Sequence, residues 1–386
     1  MPAVAELRLL AVDLPFKIAF RHAAATRETS ESVFLRLRLD NGVEGWGECL
    51  PRRYVSGEHR DDAFALLRDA ILPALVGRSF ASVTEVAEFL AKCDGKAPPD
   101  WVAPEIPQTS AWCAVDLALL DAFGRHDGAP VRLGPEGPVR PRYSGVVSAG
   151  TGRSYVTSLL KLRAFGFQHV KLKVERDGGP EAARTARRVL GRRADLRADA
   201  NMAWDTGQAL DAIRELRTAG IESIEQPVAA GDLDALARLV AESGAGIMVD
   251  EGLTDRDSLR ALIERRACTA VNVRISKCGG LLAAAARCRE ALDAGLTLQV
   301  GCQVGESSLL SAAQMTLLAA LAPLRPGVRW AEGAFGRHLL REDPGAPLVQ
   351  FRFGGRAPRR PPGPGLGVRI DQELLQRHAV AEARIV

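Results

Sequence analysis

The chain has 386 residues, 47 % hydrophobic and 25 % charged, the balance of an ordinary globular protein long enough for two domains. Its 51 Lys and Arg are nearly offset by 47 Asp and Glu, leaving a formal charge of +4 without a long basic block. That excludes an obvious nucleic-acid footprint but suits a small anionic substrate.

Residues 4–50 read as antiparallel strands: AELRLLAVDL, then ESVFLRLRLDNGVEGWGE, whose DNG is a hairpin signal. Helical patterns follow over roughly 60–94 and 108–126. From about residue 142 the rhythm becomes strand, helix, strand. The strand candidates are RYSGVVSAG, HVKLKV, LRADAN, SIEQP, GIMVDEG, AVNVRIS, TLQVGCQV and RWAEG. Eight strands alternating with helices point to a parallel β/α barrel or a doubly wound sheet. After residue 334 the periodicity fades into Pro/Gly-rich sequence and a short C-terminal helix, a tail expected to pack back on the N-terminal region. No apolar run reaches membrane-spanning length, and the start MPAVAELRLL lacks the charged-then-apolar order of a signal peptide. A cytoplasmic protein with no membrane partner is expected.

Seven cysteines without metal-type spacing read as reduced thiols, and six scattered histidines form no HxxxH or HxH. Any metal is therefore expected on oxygen. Barrel enzymes build their sites at the C-terminal strand ends, and there polar residues recur. In VKLKV, Val170, Leu172 and Val174 share one face and Lys171 and Lys173 the other. The third strand sets Arg197, Asp199 and Asn201 on one face. The fourth ends in Glu225, and the fifth in Asp250 and Glu251. The sixth aligns Asn272, Arg274 and Ser276, and the seventh ends with Gln303 and Glu306.

Asp199, Glu225 and Asp250 fall on consecutive strands about 4.8 Å apart, so their carboxylates can converge on a hard divalent cation. Oxygen-only ligation favours Mg²⁺ or Mn²⁺ over zinc. Acids at strand ends also cap helices or pair with arginines. Three in register beside two lysines need more than that, because unpaired charge inside a barrel is costly. Lys171 and Lys173 lie about 6.6 Å apart along their strand. A like charge at that range, with partial burial, lowers an amine pKa towards that of a usable base. A metal would neutralise a substrate carboxylate and stabilise the enediolate formed when the α-proton leaves.

VKLKV, DAN at 199–201, EQP at 225–227, DEG at 250–252 and SKCGG at 276–280, with GWGE at 45–48 and RRYVSGE at 52–58, resemble the enolase superfamily. Within it they are most similar to the mandelate racemase/muconate lactonizing enzyme family, muconate lactonizing enzyme subgroup. The resemblance implies an α/β protein: a modified TIM barrel, (β/α)₇β, under an α+β capping domain built from the N-terminal region and the C-terminal tail. The implied division is 1–125 for the cap, 126–340 for the barrel and 341–386 for the tail. It further implies Asp199, Glu225 and Asp250 as Mg²⁺ ligands, and Lys173 as α-proton base. Lys171 would tune Lys173 and contact the substrate carboxylate, with Asn201 and Glu251 in support. A homo-oligomer, octamer or dimer, is implied as well.

Members with two lysine bases typically read NIKxxxxGG in the sixth strand. Here VNVRISKCGG puts Arg274 in that place, with Lys277 three residues later. By alternation Lys277 points away and reads as a surface or helix-N-terminal residue, a base only if a bulge reorients it. A guanidinium is a poor base and a good fixed cation. One-base chemistry follows as the first reading: cycloisomerisation or elimination on a small carboxylate. A racemase or epimerase of N-acylated amino acids or dipeptides is the alternative, and a non-catalytic binding barrel the third. Glu306 reads either as a substrate contact or proton donor, or as the ion-pair partner of Arg274 or Lys277. Candidate substrate contacts are Arg21 and His22 beside Phe20 in one capping loop, Arg53 and Tyr54 beside Arg52 in another, and Asn201 and Gln303 on the barrel. An Arg and a Tyr in one loop hint at a polar or anionic distal group.

Overall fold

The computed structural model describes residues 1–22, 25–139, 141–175, 178–324 and 328–386, with the side chains of 20–22 and 25–26 outside that set. Eight parallel strands follow one another in chain order: Gly145–Val147, His169–Lys173, Asp195–Asp199, Ser223–Glu225, Gly246–Val249, Ala270–Val273, Thr297–Val300 and Val328–Ala331. Tyr143 bridges to Ala331, and Ser144 N donates to Ala331 O at 2.9 Å, so the eighth strand meets the first. Among the described residues seven helices connect the strands, from Gly152–Ala164 to Ser308–Leu321. The strand interiors (Val170, Leu172, Ile224, Val249, Val271 and Val300 among them) are buried, as expected where helices cover one face and packed side chains the other. The strands are shorter than the stretches expected from sequence. Asn201 and Gln226, just past two strands, have φ of 43° and 40°.

The cap is an antiparallel sheet in the order Ala379–Ile385, Val4–Val12, Ser32–Leu39, Glu44–Cys49. Helix Thr109–His126 lies directly on the last of these strands. A Cβ at Gly47 would sit 1.8 Å from Ala114 O, and one at Gly45 2.2 Å from Ala122 N. Glycine in GWGE is therefore a matter of close backbone approach. The helical run expected over 60–94 is interrupted: it stops at Leu75 and restarts at Val83, where Ser82 accepts from Glu85 N.

Three elements depart from the sequence reading. Phe20, Arg21 and His22, expected in a loop, fall in strand Pro15–His22, which pairs with Ala25–Thr29; their side chains lie outside the described residues. The C-terminal helix, Gln372–Arg377, is followed by strand Ala379–Ile385, which joins the capping sheet beside Val4–Val12. Before that, the tail also closes the barrel seam, since Tyr143 N donates to Gly355 O at 2.7 Å and Gly354 N to Phe165 O at 2.8 Å. No helix among the described residues is long and apolar enough to cross a membrane.

Buried carboxylates join cap to barrel at helix N-termini, where backbone N–H groups lack intrahelical partners. Glu48 accepts from Ser307 N at 3.0 Å, Ser307 Oγ at 2.5 Å and Leu310 N at 3.3 Å. Asp116 accepts from Leu281 N at 2.7 Å.

Candidate active site

Polar residues at the ends of strands two to eight converge at the mouth of the barrel. Register sets this up: Lys171 lies opposite Arg197, Lys173 opposite Asp199, and Asp199 opposite Glu225. Lys173 Nζ donates to Asp199 Oδ2 and to Asn201 Oδ1, both at 2.7 Å. Lys171 Nζ lies 2.8 Å from Glu332 Oε2, 3.2 Å from Asp199 Oδ2 and 3.3 Å from Glu225 Oε1. An ammonium has three donors, so those of Lys171 are already engaged with protein carboxylates. That departs from the expectation that Lys171 also grips the substrate carboxylate.

Glu225 takes further hydrogen bonds from Asn272 Nδ2 at 3.0 Å and Gln299 Nε2 at 3.4 Å. Asp250 is flanked by two cations. Arg274 Nη2 donates to its Oδ2 in a very short contact, and Lys277 Nζ reaches Oδ1 at 2.9 Å. The Gln226 side chain accepts from Asp250 N and Gly252 N at 3.0 and 3.2 Å and so holds the fifth strand's end in place. Asn201 Nδ2 donates to Glu251 Oε1 at 3.1 Å.

The sixth strand ends at Val273, before alternation can carry to Ser276. Arg274 opens onto the cavity and also donates to Gln303 Oε1 at 2.9 Å. Ser276 instead faces the cap, accepting from Leu50 N at 3.0 Å beside Ser110 Oγ. Lys277 is not the surface residue that alternation suggested. It is fully buried, and it donates to the Asp250 and Asn272 carbonyls at 2.5 and 2.8 Å as well as to the Asp250 carboxylate.

Of the two arrangements expected of Glu306, the ion pair is not found among the described residues. Its carboxyl accepts from Gln303 N at 2.6 Å. Arg52 is a structural strut, buried and donating to the carbonyls of Pro51, Ser30 and Val304. Arg53 is exposed and does not line the cavity, whereas Tyr54 does.

Glu332, at the end of the eighth strand, was not singled out by sequence although RWAEG places it like the other strand-end acids. It links Lys171 to the buried Arg197, which also donates to Ser144 Oγ at 3.0 Å. Counting Glu251, five carboxylates face five cations here.

Burial alone would raise the carboxyls and lower the amines. Asp199 resists it, because Lys173 and Lys171 hold its carboxyl far below the usual range. Lys171 likewise overcomes its burial through Glu225, Glu332 and Asp199, and its amine is held well above the ordinary lysine value. The mutual lowering expected of the lysine pair is outweighed at Lys171 by these three acids. Glu225 is pushed up to about 7 by burial, with Asp199, Glu332 and Asp250 adding to the rise against Lys171. Glu251 rises to about 7, from burial and then from Asp250 and Asp199.

Among the described residues no three His, Cys, Asp or Glu side chains stand together as a ready ion site. The amines and the Arg274 guanidinium occupy the carboxylate oxygens that would form one. The donor chemistry nonetheless fits a hard divalent cation. It is all oxygen and it is buried, and burial, joined by repulsion from the neighbouring acids, raises Glu225. Glu251 Oε2 has no hydrogen-bond partner.

Residues 4–133 match the family model for the mandelate racemase/muconate lactonizing enzyme N-terminal domain, and residues 155–374 the model described as enolase C-terminal domain-like. The chain is 30 % identical to chloromuconate cycloisomerase of Cupriavidus pinatubonensis, over 97 % of this chain and 98 % of that protein. It is 28 % identical to an N-succinyl-L-Arg/Lys racemase of Bacillus cereus, over 80 % of this chain and 82 % of the racemase. A crystal structure of muconate lactonizing enzyme from Pseudomonas fluorescens, complexed with muconolactone, superposes with a TM-score of 0.85. It is 26 % identical and covers 98 % of this chain and 99 % of its own. The chain therefore belongs to the mandelate racemase/muconate lactonizing enzyme family of the enolase superfamily.

Proposed function

We propose that this enzyme moves the proton α to a carboxylate in a small organic acid through Lys173, whose amine takes that proton in an elimination and, once protonated, delivers it to the α-carbon in a one-base cycloisomerisation. The observation that carries the reading is the placement of Arg274 in the cavity while Lys277 is locked behind Asp250. A guanidinium cannot return a proton as a lysine can, so inversion at the α-carbon lacks its second base.

Asp199, Glu225 and Asp250 would hold Mg²⁺, or Mn²⁺ in its place. When bound, the ion supplies Lewis-acid stabilisation of the charge that develops on the substrate carboxylate as the α-proton departs. Lys173 must release Asp199 Oδ2 and, for proton removal, be unprotonated. Lys171 stays charged among its three acids. Arg274, freed from Asp250, stabilises negative charge on the substrate or binds a second anionic group. Asn201 positions Lys173 through its carbonyl and Glu251 through its amide, and Gln303 orients Arg274. The same reading places the enzyme in the cytoplasm as a homo-oligomer.

A second reading, epimerisation of N-acylated amino acids or dipeptides, is favoured by the likeness to an N-succinyl-L-Arg/Lys racemase. Reaction of N-acylated amino acids in D₂O separates the two. Deuterium at the α-carbon of an inverted product selects epimerisation, and exchange with strict retention selects the one-base route.

A further inference from the structure

The cavity over the lysines encloses about 400 Å³, enough for a small ligand with a substantial distal part. Its polarity is sharply divided. Among the described lining residues, the charged side chains Lys171, Lys173, Glu251, Arg274 and Glu332 all belong to the strand ends. Leu162, Phe167, Phe335, Leu339 and Phe351 supply an apolar part of the lining, to which Ile18 of the cap also contributes.

This apolar wall has a structural origin. Among the described residues the eighth strand is followed by only one 3-10 turn, Gly336–His338, before the tail, and the seam it makes with the first strand is filled by an aromatic cluster drawn from three parts of the chain. Phe351 lies 5.5 Å from Phe167 and 5.9 Å from Phe335, edge to face in both cases, and stacks on His338 at 4.5 Å. His338 is tied to the same wall by a 3.2 Å contact between Nε2 and Phe351 O. The rings are thus held in place before anything binds. Ile18 is the odd member: its side chain is 79 % exposed although it faces the cavity. A large apolar group at the mouth of an otherwise polar site gains most when an apolar ligand covers it.

From the division of this cavity we infer that the substrate carries an uncharged aromatic or branched aliphatic group distal to its carboxylate, seated on the seam wall and Ile18. The inference rests on the proton-abstraction reading for which end of the substrate meets the lysines. It replaces the polar or anionic distal group suggested by the Arg52–Tyr54 loop, since Arg52 is engaged by three carbonyls and Arg53 lies outside the cavity. Among the described residues, the apolar lining side chains offer a charged distal group no ion pair to offset its lost hydration.

The test uses the Mg²⁺-supplemented full-length protein and two matched ligand pairs, N-benzoylalanine against N-succinylalanine and N-acetylphenylalanine against N-acetylglutamate. Calorimetric binding is read separately from α-proton exchange in D₂O. The apolar member of at least one pair is expected to bind at least about tenfold more tightly, the scale set by a few methylenes of pocket complementarity. Ile18→Lys, a surface change that leaves the fold intact, should reduce that preference several-fold. Equal or tighter binding of the charged members in both pairs overturns the inference, as does an unchanged preference in Ile18→Lys. Selective binding of the apolar members without any exchange would support the wall while contradicting Lys173 as a base.

Discussion

The Lys277 amine donates to Asp250 Oδ1 at 2.9 Å and to the Asp250 carbonyl at 2.5 Å, from a position with no access to solvent. It fixes an acid that faces the active site while standing outside the cavity itself. Removing one partner of a buried pair costs about 3–5 kcal/mol where the other charge is left uncompensated, and Arg274 still pairs with Asp250, so that range is an upper bound here. Lys277→Met should therefore lower stability in urea unfolding by no more than that amount. A variant as stable as wild type would show that Asp250 needs no such support.

Arg274 competes with any ion for Asp250. Arg274→Met removes a cation and frees Oδ2, so Mg²⁺ affinity measured by calorimetry should rise at least about fivefold, on the order of 1 kcal/mol, while turnover falls. Weaker metal binding would mean that Arg274 organises the acids instead of shielding them.

Arg274→Lys puts a titratable amine where a second base would stand. Inverted, α-deuterated product from N-acylated amino acids should appear in D₂O, detectable by chiral chromatography and mass spectrometry. Its absence, with exchange retained, would indicate that more than the base is missing for inversion.

These residues show how far the sequence could be read. Asp199, Glu225 and Asp250 were legible because strand-end acids recur once per β/α unit, and the same rule would have found Glu332. Alternation failed at Lys277 for a definite reason: the strand stops at Val273 and the next residues turn, with Cys278 N donating to Arg274 O. Periodicity says where a strand can run but not where the ladder ends. Arg52 was misread because its burial depends on the carbonyls of Ser30 and Val304, distant in sequence. The seam wall was illegible for the same cause. Phe167, Phe335 and Phe351 come from separate segments, the last within the Pro/Gly-rich tail.

Stability should also depend on pH through the cap–barrel contacts. Burial pushes the Glu48 carboxyl from 4.5 up to about 8, against its hydrogen bonds from Ser307. A folded-state value above the unfolded one makes stability fully present below pH 4.5 and progressively lost as pH rises through about 8. Burial moves Asp116 the same way, and also Glu58, which is held within the cap by Ser110 N and Ala111 N, each to about 7. Unfolding free energy should fall across this window by up to about 1.4 kcal/mol per pH unit for each such group. Glu48→Gln should remove one group's share of the slope; a slope identical to wild type would mean that Glu48 folds in its charged form.

The central claim, that Lys173 takes the α-proton, is tested most directly by solvent exchange. Wild type and Lys173→Ala, both supplemented with Mg²⁺, are incubated in D₂O with the small carboxylate that wild type exchanges fastest, and α-deuteration is followed by proton NMR. Loss of a general base should reduce exchange by about 10²–10⁴-fold, while Mg²⁺ affinity by calorimetry is retained. Exchange in Lys173→Ala at a rate near wild type would contradict the assignment.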